Sequence, residues 1–444
     1  MAPKQRSVVR LPNLYIARPV HLPAARPQSL RVNGSTVALI HGSANGKADW
    51  LAEIFEWLSC ADEYSVVERD SVGRVPFAYT LAGRNSLDPL VPRAAVAMQM
   101  LQDQVRRVTG DADGANTPVN GLSHFIVNTH DVDFLPTTRR ETVFRLAKNC
   151  VISLLTRLPS LAGAHAMSAV RTACGAPIPF LSPDALAKLE ACHGASASYY
   201  FLVENSHRRD GNYNIRNDNT LTLLRELQSM GMEVGVHGSY KSLDEAYGLA
   251  VQYQTLAELG FKAHGGRQHW LRLTVERLID SVQRAHALYD TSLGWTDRVG
   301  FRAGASFAFP PYDFSKERAA TFLELPLVIA DSALAAMGDI TRAREIAEQV
   351  LERSRRGCGG VSVLWHPACF GGVQLPAWVG ESFWSLMKCS KEKGDSWISA
   401  ERFLEMTRER YVAAGLLSDV DSGATGPDDV ADQEVDSVGH NATR

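Results

Sequence analysis

Polar residues of a few chemical types stand where apolar runs stop. Asp131 and Asp133 follow "FIVNT", His237 follows "MEVGV", Arg302 follows "VGF" and His366 follows "VSVLW". Asp131 and Asp133 are two residues apart, a spacing that puts both side chains on one face of a strand. Carboxylates so placed repel each other unless a cation neutralises one or a proton sits on the other. A divalent metal ion would do the first, and Asp133 and His237 are ordinary ligand types for Zn²⁺ or a similar ion. Taken singly, each residue also has a plain explanation: a solvated turn for the aspartates, a core histidine, a loop cap. Four separate apolar runs ending this way point instead to one cleft.

The elements that must position these residues alternate along the chain. From 122 to 415 the sequence reads as repeated strand–helix units: "HFIVNTHDVD" a strand, "RRETVFRLAKNCVISLLTRLPS" a helix, "SASYYFLVEN" a strand. "DNTLTLLRELQSMG" follows as a helix ended by Gly231, then "MEVGVHGSY" as a strand and "LDEAYGLAVQYQTLAELG" as a helix. "GFRAG", "ELPLVIADSAL" and "GGVSVLWHP" read as further short apolar strands running into polar residues. This α/β pattern predicts a parallel sheet or barrel, with chemistry at the C-terminal ends of the strands.

Ahead of it, 1–115 predicts a small α/β domain. It has an irregular leader over 1–30, a buried strand in "STVALIHG" and helices in "ADWLAEIFEWLSC" and "RAAVAMQMLQDQVRRVTG". "DADGANTPVNG", 111–121, is turn-rich and reads as a linker. The segment 416–444 is acidic and nearly without aromatics, so a disordered tail is expected.

The bulk properties exclude several classes. The chain has 444 residues, 45% hydrophobic and 21% charged, with a net charge of −3. Such a balance gives no reason to expect nucleic acid or an anionic membrane as partner. No apolar run reaches the ~18 residues of a membrane span, and no secretory signal is evident, so a cytoplasmic location is expected. The seven cysteines form no CxxC pair, which argues against a zinc finger or a disulfide framework. Oligomeric state is not legible.

Several stretches, in order, resemble the polysaccharide deacetylase superfamily (NodB homology, carbohydrate esterase family 4). They are "NTHDVDF", "EVGVHGSY", "GGRQHWLR", "YDTSLGWTDRVGFRAG", "ELPLVIADS" and "LWHPA". The resemblance covers roughly 122–372 and is nearest to a bacterial branch with a THDVD first motif and an extra N-terminal region. It implies a distorted (β/α)7 barrel of NodB type and a metal-dependent hydrolase that removes acetyl groups from N-acetylated sugars or glycans.

By position, the resemblance makes Asp131 the catalytic base, Asp133 the metal-binding aspartate, His237 the first histidine of an H-x-x-x-H metal motif and His366 the general acid. Arg267 or Arg302 would be the arginine that orients the base. One departure stands out. The second histidine of the motif would fall at 241, where the chain has Lys241, whose ammonium is no ligand at neutral pH. His269 is the expected replacement, with His264 the second choice. The implied cofactor is a divalent metal, Zn²⁺ first, with Co²⁺ or Ni²⁺ as alternatives.

The chemistry follows from the roles. Amide hydrolysis needs a nucleophile stronger than neutral water, and a bound metal lowers the pKa of water to about 7. Asp131 takes its proton, and His366 protonates the departing amine. Trp270, Trp295, Tyr240 and Trp365 are aromatic platforms that a sugar ring could use. Two other readings fit the residues: a metal-free hydrolase of another C–N bond, and a sugar-binding protein with a degenerate deacetylase site, for which Lys241 speaks.

Overall fold

The computed structural model describes residues 28–32, 35–39, 49–109, 124–135, 138–155, 159–176, 178–355, 359–371 and 375–413. The linker and the tail expected from the sequence lie outside these residues, as does the expected leader up to 27; its last residues, 28–30, are not irregular but begin a strand. Strands β1 (Gln28–Val32) and β2 (Ser35–Leu39) form an antiparallel hairpin. The centre of the molecule is one curled parallel sheet. Its strands are β3 (Phe125–Val132), β4 (Ser198–Leu202), β5 (Glu233–Gly238), β6 (Gly265–Gln268) and β7 (Tyr289–Asp290). After a small antiparallel ribbon of β8 (Tyr312–Asp313) and β9 (Arg318–Ala319) come β10 (Leu323–Glu324), β11 (Leu327–Ala330), β12 (Val361–Leu364) and β13 (Ser396–Ile398).

The sheet order is β10-β7-β6-β5-β4-β3-β12-β11, with β13 beside the start of β3. The two edge strands, β10 and β11, are almost continuous in the chain. Leu325 donates its N–H to Asp290 O at 2.9 Å, and Pro326, which has no N–H to give, accepts from Ser362 N at 2.8 Å. The run 323–330 therefore leaves β7 and joins β12 within two residues. Counted as one interrupted strand it closes the sheet into the distorted (β/α)7 barrel that the sequence led us to expect.

β3, β4, β5 and β6 are buried along their whole length, as parallel strands covered by helices must be. The helix Asp218–Ser229 turns Leu224 and Leu227 inward, and Val275–Arg284 turns Leu278, Ile279 and Val282 inward. These pack with Phe201, Val234 and Val236. Each such side chain contributes roughly 1.5–3 kcal/mol by leaving water. Gly231 ends its helix at φ +76, a conformation that costs other residues more. Tyr200, Tyr289 and Arg267 fill the barrel. They leave so little room that a Cβ on Gly265 would lie 2.4 Å from Tyr289 O. That crowding explains a strand of sequence "GGRQ", which no apolar pattern announces.

Three expected elements differ. "GFRAG", 300–304, is not a strand: Gly300 N–H bonds to Val328 O while Phe301 N–H bonds to Pro89 O, so the segment turns away to the N-terminal region. The helix predicted over 139–160 ends at Leu155, and Pro159 opens a second one to Ala173, a position where a missing N–H costs nothing. The helix predicted from 243 begins at Gly248, where the chain approaches Ser242 O too closely for a Cβ.

Within 49–109 the longer helices are Trp50–Ser59 and Arg93–Thr109. The stretch between them lies on the C-terminal end of the barrel. Tyr240 Oη donates to Val72 O, Arg74 Nη1 to Thr296 Oγ1, and Ala94 N–H to Gly304 O. No helix among the described residues is long and apolar enough to cross a membrane.

Candidate metal centre

Alternation along β3 decides which side chains share the barrel interior. Thr129 and Asp131 point inward, and Asp133 follows on the same side just past the strand. His130, between them, points outward. Its ring meets Glu190 at 2.8 Å and Trp365 O at 2.6 Å, so it belongs to the sheet's outer packing.

Asp133, His237 and His269 converge, although their strands are far apart in the chain. Asp133 Oδ1 lies 3.3 Å from His237 Nε2 and 3.3 Å from His269 Nε2. The other nitrogen of each ring fixes its tautomer. His237 Nδ1 lies 2.9 Å from Arg267 O, a carbonyl that can only accept, so this nitrogen carries the hydrogen. His269 Nδ1 faces Asp210 Oδ1 at 3.3 Å, which likewise calls for a donor. In their neutral forms, the ones a metal ion requires, both rings would aim a lone pair at Asp133 Oδ1. That oxygen is buried and accepts no hydrogen bond among the described residues.

Three electron-rich atoms in such a cluster need a cation or an extra proton between them. Bonds of ~2.0 Å to a tetrahedral ion put ligand atoms about 3.3 Å apart, the separation of Asp133 Oδ1 from each imidazole Nε2. The residues thus fit a divalent ion held by Asp133, His237 and His269. Without an ion, burial would lower the His269 pKa, but Asp133 and Asp210 outweigh it and push it up to about 9. Burial would raise Asp133, and the facing histidines instead hold it well below the usual carboxylate range.

Beside this triad, Asp131 Oδ1 accepts from Arg267 Nη1 at 2.9 Å, and Asp131 Oδ2 lies 3.6 Å from His237 Nε2. Arg267 is itself fixed by Thr129 Oγ1 and Thr291 O at 2.8 and 3.0 Å. On the opposite wall, His366 Nε2 lies 3.6 Å from Asp133 Oδ2, while its Nδ1 lies 2.9 Å from Asp331 Oδ2. Burial would lower the His366 pKa, but Asp331 overrides it and lifts it to about 10. The ring is 21% exposed by side chain, so it can meet a ligand.

Arg302 is a correction. It is turned to Glu63, with Nη2 and Nε on the two carboxylate oxygens at 2.6 and 3.0 Å, and Nη1 on Gly294 O. Its barrel-side partner is thus the N-terminal region rather than Asp131, because 300–304 is not a strand. Of the two arginines left open by the sequence, Arg267 alone holds Asp131. His264 is also displaced: it meets Glu401 at 3.0 Å, beside the start of β6 and away from the triad. Lys241 is exposed on the turn after β5. Trp295 and Trp365 are core residues at 6% and 0% exposure, while Trp270 is 44% exposed.

Sequence reasoning missed Asp331 and Asp210. Asp331 ends the apolar run "LVIA", the same signal that marked the others. Asp210 sits in the loop "HRRDGN" and carries no such signal. Asp331, His366 and Cys369 form a second cluster of metal-binding types. Asp331 is already supplied with donors, the N–H groups of Ser332 and His366 and the Cys369 thiol. Burial keeps that thiol protonated. This cluster orients His366.

Comparisons add distant likenesses. No family model matches the chain, and no curated protein sequence matches it. Among solved structures, it is similar to the CE4 domain of a multidomain xylanase from the hindgut metagenome of Trinervitermes trinervoides. That likeness has 10% identity and a TM-score of 0.32, covering 64% of this chain and 92% of that one. It is similar to a peptidoglycan deacetylase from Bacillus subtilis at 11% identity and a TM-score of 0.32, covering 67% and 97%. A polysaccharide deacetylase from Bacillus cereus gives 13%, 0.30, 62% and 91%. At such values the site stands on its own geometry.

Proposed function

We propose that the protein is a metal-dependent hydrolase that removes an acetyl group from an N-acetylated sugar or glycan. One observation carries this reading: the buried Asp133 Oδ1, which accepts no hydrogen bond among the described residues, is faced at 3.3 Å by Nε2 of both His237 and His269. A divalent ion there, Zn²⁺ first, would supply an activated water and polarise the amide carbonyl.

The chain's own groups do the rest. Asp131, clamped on Oδ1 by Arg267 and with Oδ2 3.6 Å from His237 Nε2, is placed to take a proton beside the triad. His366, kept protonated by Asp331, donates a proton from Nε2 to the departing amine. Base and acid thus flank Asp133, as an addition followed by loss of an amine requires. The family resemblance of the motifs supplies the sugar; the donor set supports the metal. A cytoplasmic location is part of the same proposal.

The test is metal content of protein purified without chelator, together with acetate release from N-acetylglucosamine and its short oligomers. About one ion per chain and acetate release abolished by a chelator support the reading. A folded, ion-free protein that hydrolyses none of them would leave a metal-free hydrolase or a sugar-binding protein.

A further inference from the structure

Two loops meet in register at the rim of the triad. The inner pair is Asp210 and His269, at 3.3 Å. The outer pair is the residue before one and after the other: Trp270 Nε1 donates to Arg209 O at 3.3 Å, and the Arg209 guanidinium lies 5.5 Å from the Trp270 ring. Trp270 is 44% exposed, and its ring centroid is 6.0 Å from that of His269. Its backbone is left-handed, φ 64, a costly conformation for a bulky residue that persists where the surroundings enforce it. Arg74 Nη1 on Trp270 O helps to enforce it.

Three arginines line this rim, and they differ. Arg74 is paired with Asp70 and Arg272 with Asp244. Arg209 has no carboxylate partner among the described residues. Its guanidinium instead lies 5.1 Å from the Tyr240 ring and 5.5 Å from the Trp270 ring. Tyr240 is in turn stacked on His207 and covered by Arg272. Aromatic faces hold a guanidinium in place and leave its N–H fork free. A planar fork of donors matches a phosphate or carboxylate bidentately.

We infer that Arg209 binds an anionic substituent, phosphate or carboxylate, on the sugar whose ring lies against Trp270. The inference rests on the deacetylase reading for the sugar. Trp270 links the triad and the guanidinium: its ring lies 6.0 Å from that of His269 and 5.5 Å from the Arg209 guanidinium.

The experiment compares kcat/KM for N-acetylglucosamine 1-phosphate, N-acetylmuramic acid and neutral N-acetylglucosamine in the metal-loaded full chain. The two anionic sugars distinguish phosphate from carboxylate. At least one should exceed the neutral sugar by about tenfold or more, the size of a charge-assisted contact. Arg209→Gln should collapse that ratio through KM, and Arg209→Lys should keep part of it. A ratio near one in the wild type, or one that Arg209→Gln leaves intact, overturns the inference while the deacetylase reading stands. If no sugar releases acetate, that reading fails, and calorimetric titration of the two anionic sugars decides. Binding weakened about tenfold by Arg209→Gln supports the anion subsite; equal binding, or none, overturns it.

Discussion

His269 Nε2 lies 3.3 Å from Asp133 Oδ1, at the same distance as His237 Nε2. A residue from the end of β6 therefore completes the donor set that position 241 does not. His269→Ala should weaken Zn²⁺ binding by at least the ~10–100-fold associated with loss of even an outer-shell partner. Asp133→Ala should abolish it. Lys241→His should leave affinity unchanged, because Lys241 is exposed. Calorimetric titration with Zn²⁺ reads all three, and a gain in Lys241→His would show that the turn after β5 can fold inward.

Asp131 and Arg267 form the second pair. Asp131→Asn keeps the shape and should retain the metal while lowering kcat by the ~10²–10⁴-fold expected for a lost general base. Arg267→Lys cannot hold Asp131 Oδ1, Thr129 and Thr291 together, so kcat should fall with the metal still bound. Near-full turnover in Asp131→Asn would remove it from the mechanism.

The alkaline limb of the pH–rate profile tests Asp331. His366 acts when protonated, so kcat/KM should fall as pH rises through its pKa. Asp331 raises that pKa, and Asp331→Asn removes the anion. The alkaline limb should therefore move to lower pH in Asp331→Asn, while a cation at Asp133 leaves the Asp331 contribution in place. A pH–rate profile with an unmoved alkaline limb would assign that limb to another group.

Arg302 is expected to matter for stability. It and Glu63 are both 3% exposed by side chain, and removing one partner strands the other charge in the core. Arg302→Ala should cost about 3–5 kcal/mol in urea unfolding. The fraction still folded at low temperature should keep its acetate release. The opposite pattern, intact stability with lost turnover, would return Arg302 to the site.

What could be read from the sequence was what is local. An apolar run that stops at an acid or a histidine marks a strand end, and β3, β5 and β12 with Asp131, Asp133, His237 and His366 were legible for that reason. The i, i+2 spacing also placed both aspartates on one face, since strand alternation is a property of the backbone.

Choosing between residues needed the tertiary structure. Arg267 and Arg302 are equally plausible in sequence; only the path of 300–304 toward Pro89 gives Arg302 to Glu63. His269 carries no apolar signal, because β6 is built from glycines that Tyr289 crowds, and Asp210 carries none because it sits in a loop. The closure of the barrel by 323–330 is invisible locally as well, since each half of that run pairs with a strand distant in the chain. Amino-acid type and spacing determined which chemistries this protein could hold. The packing of long-range pairs decided which side chains meet, because contact across a barrel depends on register, not on neighbours in sequence.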